Sequence, residues 1–321
     1  MHTTNRWPDL AAALKPLATS PEVTVRTLRA GEVERLITLL HRWYPALAVA
    51  EVGYLLDPAF YADQVAYGGE AVAERPSVMV VAERAGELEM CVLLTAEDDG
   101  RLLSGAMTVV SPAAYGRGLG GVAARSTIAV ARALGADLAY ALAELDNHAS
   151  RRALEAAGLS LCAVIPGSER KPTANGGVVR VAEAMYACSL VPAVAPPRAA
   201  ALTPTVAALL YVQHGVRPIG GEARSAAVPA RATGVDAACR FVSLRDLDAQ
   251  REAEADGLAL LGVIPGTDRH LIDGALTYGF EALYGRPADA LDAAWPDPAT
   301  LPPPLAELVD HVRGARTMRA A

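Results

Sequence analysis

From Val23 the chain alternates apolar and polar positions through Thr24, Val25, Arg26, Thr27 and Leu28, the period of a half-buried strand. A helical period follows from about Gly31 to Trp43, with Leu36, Ile37, Leu39 and Leu40 on one face. Pro58 opens a second helical stretch reaching Ala66, in the place where helices accept proline. Three strand patterns come next, Val78 to Glu83, Glu87 to Thr95 and Leu102 to Val110. The links between them, Ala85-Gly86 and Asp98-Asp99-Gly100, have hairpin chemistry. A helix is predicted over Val122 to Leu134, closed by Gly135. Then come a strand (Leu138 to Leu145), a helix (Asn147 to Ala157, ended by Gly158), a strand (Leu159 to Ile165) and its hairpin partner, Val178 to Ser189. Ahead of them, Asp9 to Leu17 reads as a short leader helix.

Between the last strand of the meander and the next helix stands Gly116-Arg117-Gly118-Leu119-Gly120-Gly121. A glycine-rich turn there leaves several backbone N–H groups converging on one spot, with the positive end of a helix behind them. That is an anion site suited to a pyrophosphate.

Further along, the chain repeats itself. Gly158 to Arg170 can be laid on Gly257 to Arg269 with eight of thirteen positions identical, plus a Ser/Thr and a Glu/Asp exchange. Glu183-Ala-Met-Tyr186 matches Glu281-Ala-Leu-Tyr284 one residue out of step, and the strand–helix unit 138–157 has a counterpart in Cys239 to Ala255. The expected organisation is a leader at 1–20, a domain at 21–190, a proline-containing linker at 191–204 and a degenerate second copy at 205–321.

Composition changes the picture in three ways. With 52% apolar and 20% charged residues in 321, the chain is globular and long enough for two domains. A net charge of −7 speaks against nucleic acid and anionic membranes as partners. Without an apolar leader segment or a run long enough to span a bilayer, the expected location is the cytoplasm. Cys91, Cys162, Cys188 and Cys239 form no C-x-x-C pair and read as reduced core residues; the scattered histidines give no metal site.

Gly116-x-Gly118-x-x-Gly121 also fits the dinucleotide fingerprint, with Glu144 downstream for a ribose hydroxyl. Its context argues otherwise. An antiparallel meander precedes it, Pro112 lies between strand and glycines, and one β-α step follows before a hairpin. No Gly-Lys-Ser/Thr closes the turn as in a Walker loop.

Val110-Ser-Pro-Ala-Ala-Tyr-Gly-Arg-Gly-Leu-Gly-Gly121 resembles the acyl-CoA loop of the GNAT N-acetyltransferase superfamily, through Val110, Pro112, Gly118 and Gly120. Asn147-x-Ala149, Glu155 and Gly158-Leu159 resemble the second signature, and the element order over 21–190 fits. The resemblance implies an α+β fold: a mixed, mostly antiparallel, splayed sheet flanked by helices, with a smaller GNAT-like second half. It implies acetyl-CoA as donor, with the pantetheine arm pairing along Val109 and Val110 as an added strand does. The pyrophosphate would lie on the amides of Tyr115, Gly116, Arg117, Gly118, Leu119, Gly120 and Gly121, and Asn147 would hold the arm. Asn147 also reads as an N-cap.

Two positions depart from the family. Tyr115 fills an Arg/Gln slot, for which Arg117 can supply the charge, and Leu154 stands where many members have a tyrosine acid. The implied reaction is attack of a small primary amine on the thioester, with an amide near Val110 as oxyanion donor. Glu144, His148, Glu183 and Tyr186 are the candidates for proton transfer, each also readable as an exposed charge, a helix start or a hairpin pair. A binding module without turnover and other CoA-thioester chemistry, such as decarboxylation, stay open. So does oligomeric state, either a monomer with an internal pseudo-dimer or a homodimer.

Overall fold

A computed structural model describes residues 7–50, 52–67, 75–173, 175–220, 239–272, 275–286 and 293–314. Residues 1–6 of the expected leader and 221–238 of the expected second copy lie outside the described residues. The chain divides into two compact units. The first is Met1–Ala143, Asn147–Ser160 and Arg170–Val179; the second is Glu144–Asp146, Leu161–Glu169 and Arg180–Ala321.

In the first unit, β1 (Val23–Thr27), β3 (Ser77–Arg84), β4 (Glu87–Glu97), β5 (Leu102–Val110) and β6 (Leu138–Glu144) lie in that order, and the short β2 (Val65–Ala66) runs parallel to β3. Neighbours from β1 to β5 are antiparallel, whereas β5 and β6 are parallel. This is the mixed, mostly antiparallel sheet that the resemblance implies. The meander follows from its turns. Ala85 and Gly86 both have positive φ (50° and 81°), as a tight hairpin of matching twist demands, and Asp98, Asp99 and Gly100 do the same between β4 and β5.

Helix α1 (Ala11–Leu14) continues as a 3-10 turn to Leu17. Helix α2 (Val33–Trp43) buries Leu36, Leu39, Leu40 and Trp43. Helix α3 (Pro58–Gln64) is capped by Asp57, and the chain leaves it as β2 rather than continuing helical to Ala66. Helix α4 (Leu119–Leu134) ends at Gly135 as expected, but it starts three residues earlier than predicted, so Gly120 and Gly121 form its first turn. Helix α5 is His148–Ala156.

The second unit holds the central parts of β7 (Ser160–Pro172) and β8 (Val178–Ser189), with β9 (Arg240–Ser243), β10 (Ala259–Ile272) and β11 (Ala275–Gly285), in the order β8, β7, β10, β11, β9. Helices α6 (Pro204–His214), α7 (Leu247–Ala255) and α8 (Pro303–Gly314) complete it. The two matching segments keep one spacing in local geometry. Asn147 and Asp246 cap α5 and α7, Gly158 and Gly257 follow those helices with φ +95° and +86°, and Gly167 and Gly266 take +66° and +82° within the strands.

Candidate functional site

Strands β5 and β6 are in register from Leu102↔Leu138 to Gly105↔Ala141, and there the pairing stops while both strands run on. On the other edge of β5, Leu93 faces Met107 and Leu94 faces Gly105, so Ala106 is an extra residue. Such a bulge bends its strand and raises its twist. The bulge and the last β5–β6 pair coincide, which is why the sheet forks at this point. A Cβ on Gly105 would lie 3.0 Å from Thr127 Oγ1 on α4 and 3.3 Å from the Ala141 Cβ, so glycine lets α4 close on the root of the fork.

Antiparallel residues alternate between turning both backbone groups toward a partner and turning both away. Ser111 N–H donates to Glu89 O at 2.8 Å, and the register runs unbroken from there to Cys91↔Val109. Val109 therefore bonds to β4, while Val110 and Thr108 turn their N–H and C=O toward the gap. Of the expected pair, Val110 offers its backbone to an added strand and Val109 does not.

Beyond Val110 a 3-10 turn, Pro112–Ala114, leads to an exposed Tyr115 and then to Gly116 and Gly118, with φ +77° and +80°. Gly118 is the N-cap of α4 and supplies no capping side chain. Val122 N–H bonds to Gly118 O. Among the described residues, no protein acceptor meets the amides of Gly118, Leu119, Gly120 or Gly121. Four donors at the positive end of a sixteen-residue helix are a fit for a diphosphate. Arg117 reaches back to Glu89 Oε1 at 2.9 Å, and Glu89 also pairs with Arg84.

Asn147 caps α5, its Oδ1 accepting from Ser150 N–H at 3.0 Å. That bond leaves the two Nδ2 hydrogens for other partners. His148 is exposed, and Arg151 Nη2 stands 2.6 Å from its Nδ1. A guanidinium has no lone pair to offer, so Nδ1 accepts and the proton of the neutral ring sits on Nε2. Leu154 is buried and donates nothing.

The other candidates, Glu144, Glu183 and Tyr186, belong to the second unit. Burial, seconded by the charges of Glu169 and Glu144, pushes the Glu183 carboxyl up to about 8 against a lowering hydrogen bond from Ser168. Glu183 thus holds its proton at neutral pH and can give one. Tyr186 is buried. Its counterpart Tyr284 donates to Glu254 Oε1 at 3.2 Å, an oxygen that also accepts from Thr203 Oγ1. One cluster went unread in the sequence. Asp268, buried on β10, accepts from Ser243 Oγ at 2.8 Å and lies 2.7 Å from His270 Nε2, with Arg245 Nε at 3.6 Å. The readable signal was Asp-x-His on a strand, two side chains on one face.

Cys91 and Cys162 are buried, and burial pushes each thiol up to about 12; Cys188 and Cys239 are partly exposed. Among the described residues no group of His, Cys, Asp and Glu is arranged to hold a metal ion, and no helix is long and apolar enough to cross a membrane.

No protein-family model matches the chain, and no curated protein matches it. Among solved structures it is similar to yncA of Salmonella typhimurium, solved with its cofactor acetyl-CoA, at 18% identity and TM-score 0.41 over 55% of this chain and 98% of that one. It is similar to the ribosomal-protein-S18-alanine N-acetyltransferase of Escherichia coli at 14% identity and TM-score 0.41, over 53% and 96% of the two chains. A third is an acetyltransferase of the GNAT family from Streptococcus pneumoniae, at 13% identity and TM-score 0.38 over 53% and 100%. Each of the three is named an acetyltransferase.

Proposed function

We propose that the first unit binds acetyl-CoA and transfers its acyl group to a small primary amine. The supporting observation is the fork: β5 leaves β6 at Gly105 and Ala141, then delivers the chain to a helix N-terminus whose amides meet no protein acceptor among the described residues. The pantetheine arm lies along Thr108 and Val110, and the diphosphate lies on the amides of Gly118 to Gly121. Asn147 donates from Nδ2 to the arm, and Arg117 exchanges Glu89 for phosphate. The Val110 amide, turned toward the gap, receives the oxyanion that forms as the amine nitrogen bonds to the thioester carbon. The C–S bond then breaks, the sulfur leaves as thiolate, and the nitrogen loses its proton.

Leu154 favours a second reading, a CoA-binding module without turnover, because it removes the family's usual proton donor. Within the first unit, His148 at the start of α5 is the proposed proton-transfer group. Mixing the protein with acetyl-CoA and a panel of amines, while following free thiol, separates the readings. Amine-dependent thiol release supports transfer. Tight CoA binding without release under any amine supports the module.

A further inference from the structure

On α5, Arg151 is only 3% exposed, and a guanidinium cannot shed its charge inside a protein. Among the described residues no carboxylate pairs with it. Its partner is the His148 ring, whose Nδ1 accepts from Nη2 at 2.6 Å. Its Nε is buried and has no hydrogen-bond partner among the described residues. Nε–H and Nη2–H point the same way and form the edge of the guanidinium that takes a carboxylate or phosphate through two parallel bonds. One tooth of that fork meets a ring nitrogen, and the other meets no acceptor. A cation buried in this way is costly until an anion joins it.

The fork faces the start of its own helix. His148 is the first residue of the nine-residue α5, and helical side chains lean toward the N-terminus, which brings Arg151 back over the first turn. There Asn147 takes two of the amides: its Oδ1 accepts from Ser150 N–H at 3.0 Å and its C=O from Arg151 N–H at 3.2 Å. The amides of His148 and Ala149 meet no protein acceptor among the described residues, and both residues are exposed. Helix end and guanidinium are independent sources of positive charge at one place. The turn at 116–121 approaches α5 elsewhere. A Cβ on Gly120 would lie 3.6 Å from the Ala153 Cβ, and Ala153 is about 200° around the helix from Arg151.

We infer that the start of α5 is a second anion site of the first unit, and that it takes a small oxyanion, a carboxylate or a phosphate. The anion bonds to Nε–H and Nη2–H of Arg151 and to the amides of His148 and Ala149. It takes over the hydrogen that His148 Nδ1 accepts, and that lone pair is released. The site does not depend on the acyl-transfer reading.

The test uses the full chain carrying Gly121→Asp, so that the α4 turn does not compete for the anion. Inorganic phosphate, acetate and chloride are titrated separately at one ionic strength. The Arg151 Nε–H resonance, identified by its loss in Arg151→Lys, is followed by NMR. Phosphate or acetate should move it to saturation while chloride does not, and the anion that moves it names the source. Arg151→Met, which removes a buried charge with no carboxylate beside it, should melt no lower than its parent and bind that anion at least about tenfold more weakly by calorimetry. A resonance that neither anion moves, equal movement by chloride, or a Met variant that keeps full affinity or melts lower overturns the site.

Discussion

Ala163 of β7 and Gly262 of β10 are Cα partners across an antiparallel contact, and each occupies the same place in its copy of the matching segment. A Cβ on Gly262 would overlap the Cys162 carbonyl oxygen and sit 2.5 Å from Ala163 Cα, so the close approach depends on glycine. Gln213 bridges the strands alongside, donating to Cys162 O at 2.6 Å and accepting from Val263 N–H at 2.9 Å. Gly262→Ala is expected to destabilise the second unit by about 1–3 kcal/mol, the usual cost of overpacking. Urea unfolding reads it, with Gly31→Ala, where nothing lies within 4 Å of the added carbon, as the control. Equal midpoints for the two variants contradict the argument.

Asn147 separates structure from binding. Asn147→Ala removes the α5 cap and should cost about 1 kcal/mol. Asn147→Asp keeps an oxygen for Ser150 N–H but has no Nδ2 hydrogens. The Asp variant should therefore recover the melting temperature and still bind acetyl-CoA more weakly than the parent. Recovery of both would leave Asn147 a cap alone.

Glu183 makes stability depend on pH. Its folded value is pushed up to about 8 from an ordinary 4.5, so between those values the folded state keeps a proton that the unfolded chain has lost. Its contribution is complete below the ordinary value and disappears as pH rises through about 8. Glu183→Gln removes this titration. Thermal melts should show a flatter profile from pH 5 to 9 and a higher melting temperature than the parent at pH 9. Superimposable profiles would show that the carboxyl titrates normally.

Val110→Pro deletes one N–H and no bond to β4, because that group faces the gap. The fold should persist. On the account above, kcat falls about a hundredfold, the cost of losing an oxyanion donor, with a smaller change in acetyl-CoA affinity. Unchanged kcat would assign the oxyanion to another group.

Local features of the fold were legible in the sequence, and those depending on distant partners were not. Ala85-Gly86, Asp98-Asp99-Gly100 and Gly135 announced their turns and cap because positive φ is a local demand. The start of α4 was misplaced because Gly120 and Gly121 look like loop residues, yet the helix tolerates them in its first turn. The bulge at Ala106 and the parting at Gly105 depend on registers with β4 and β6 that the Leu102–Val110 pattern does not encode. The family resemblance alone suggested a fork. The pairing of Arg117 with Glu89 and the proton held by Glu183 likewise arise from partners far away in sequence.

The most direct measurement titrates acetyl-CoA into the parent protein and into Gly121→Asp by calorimetry. A carboxylate in the first turn of α4 complements the helix dipole, worth about 0.3–1 kcal/mol in favour of folding, yet it repels a diphosphate at the same amides. The account predicts saturable one-to-one binding by the parent and, for a variant that melts no lower, an affinity reduced at least tenfold. A parent that does not bind acetyl-CoA, or a variant that binds it equally well, contradicts the assignment of the turn at 116–121.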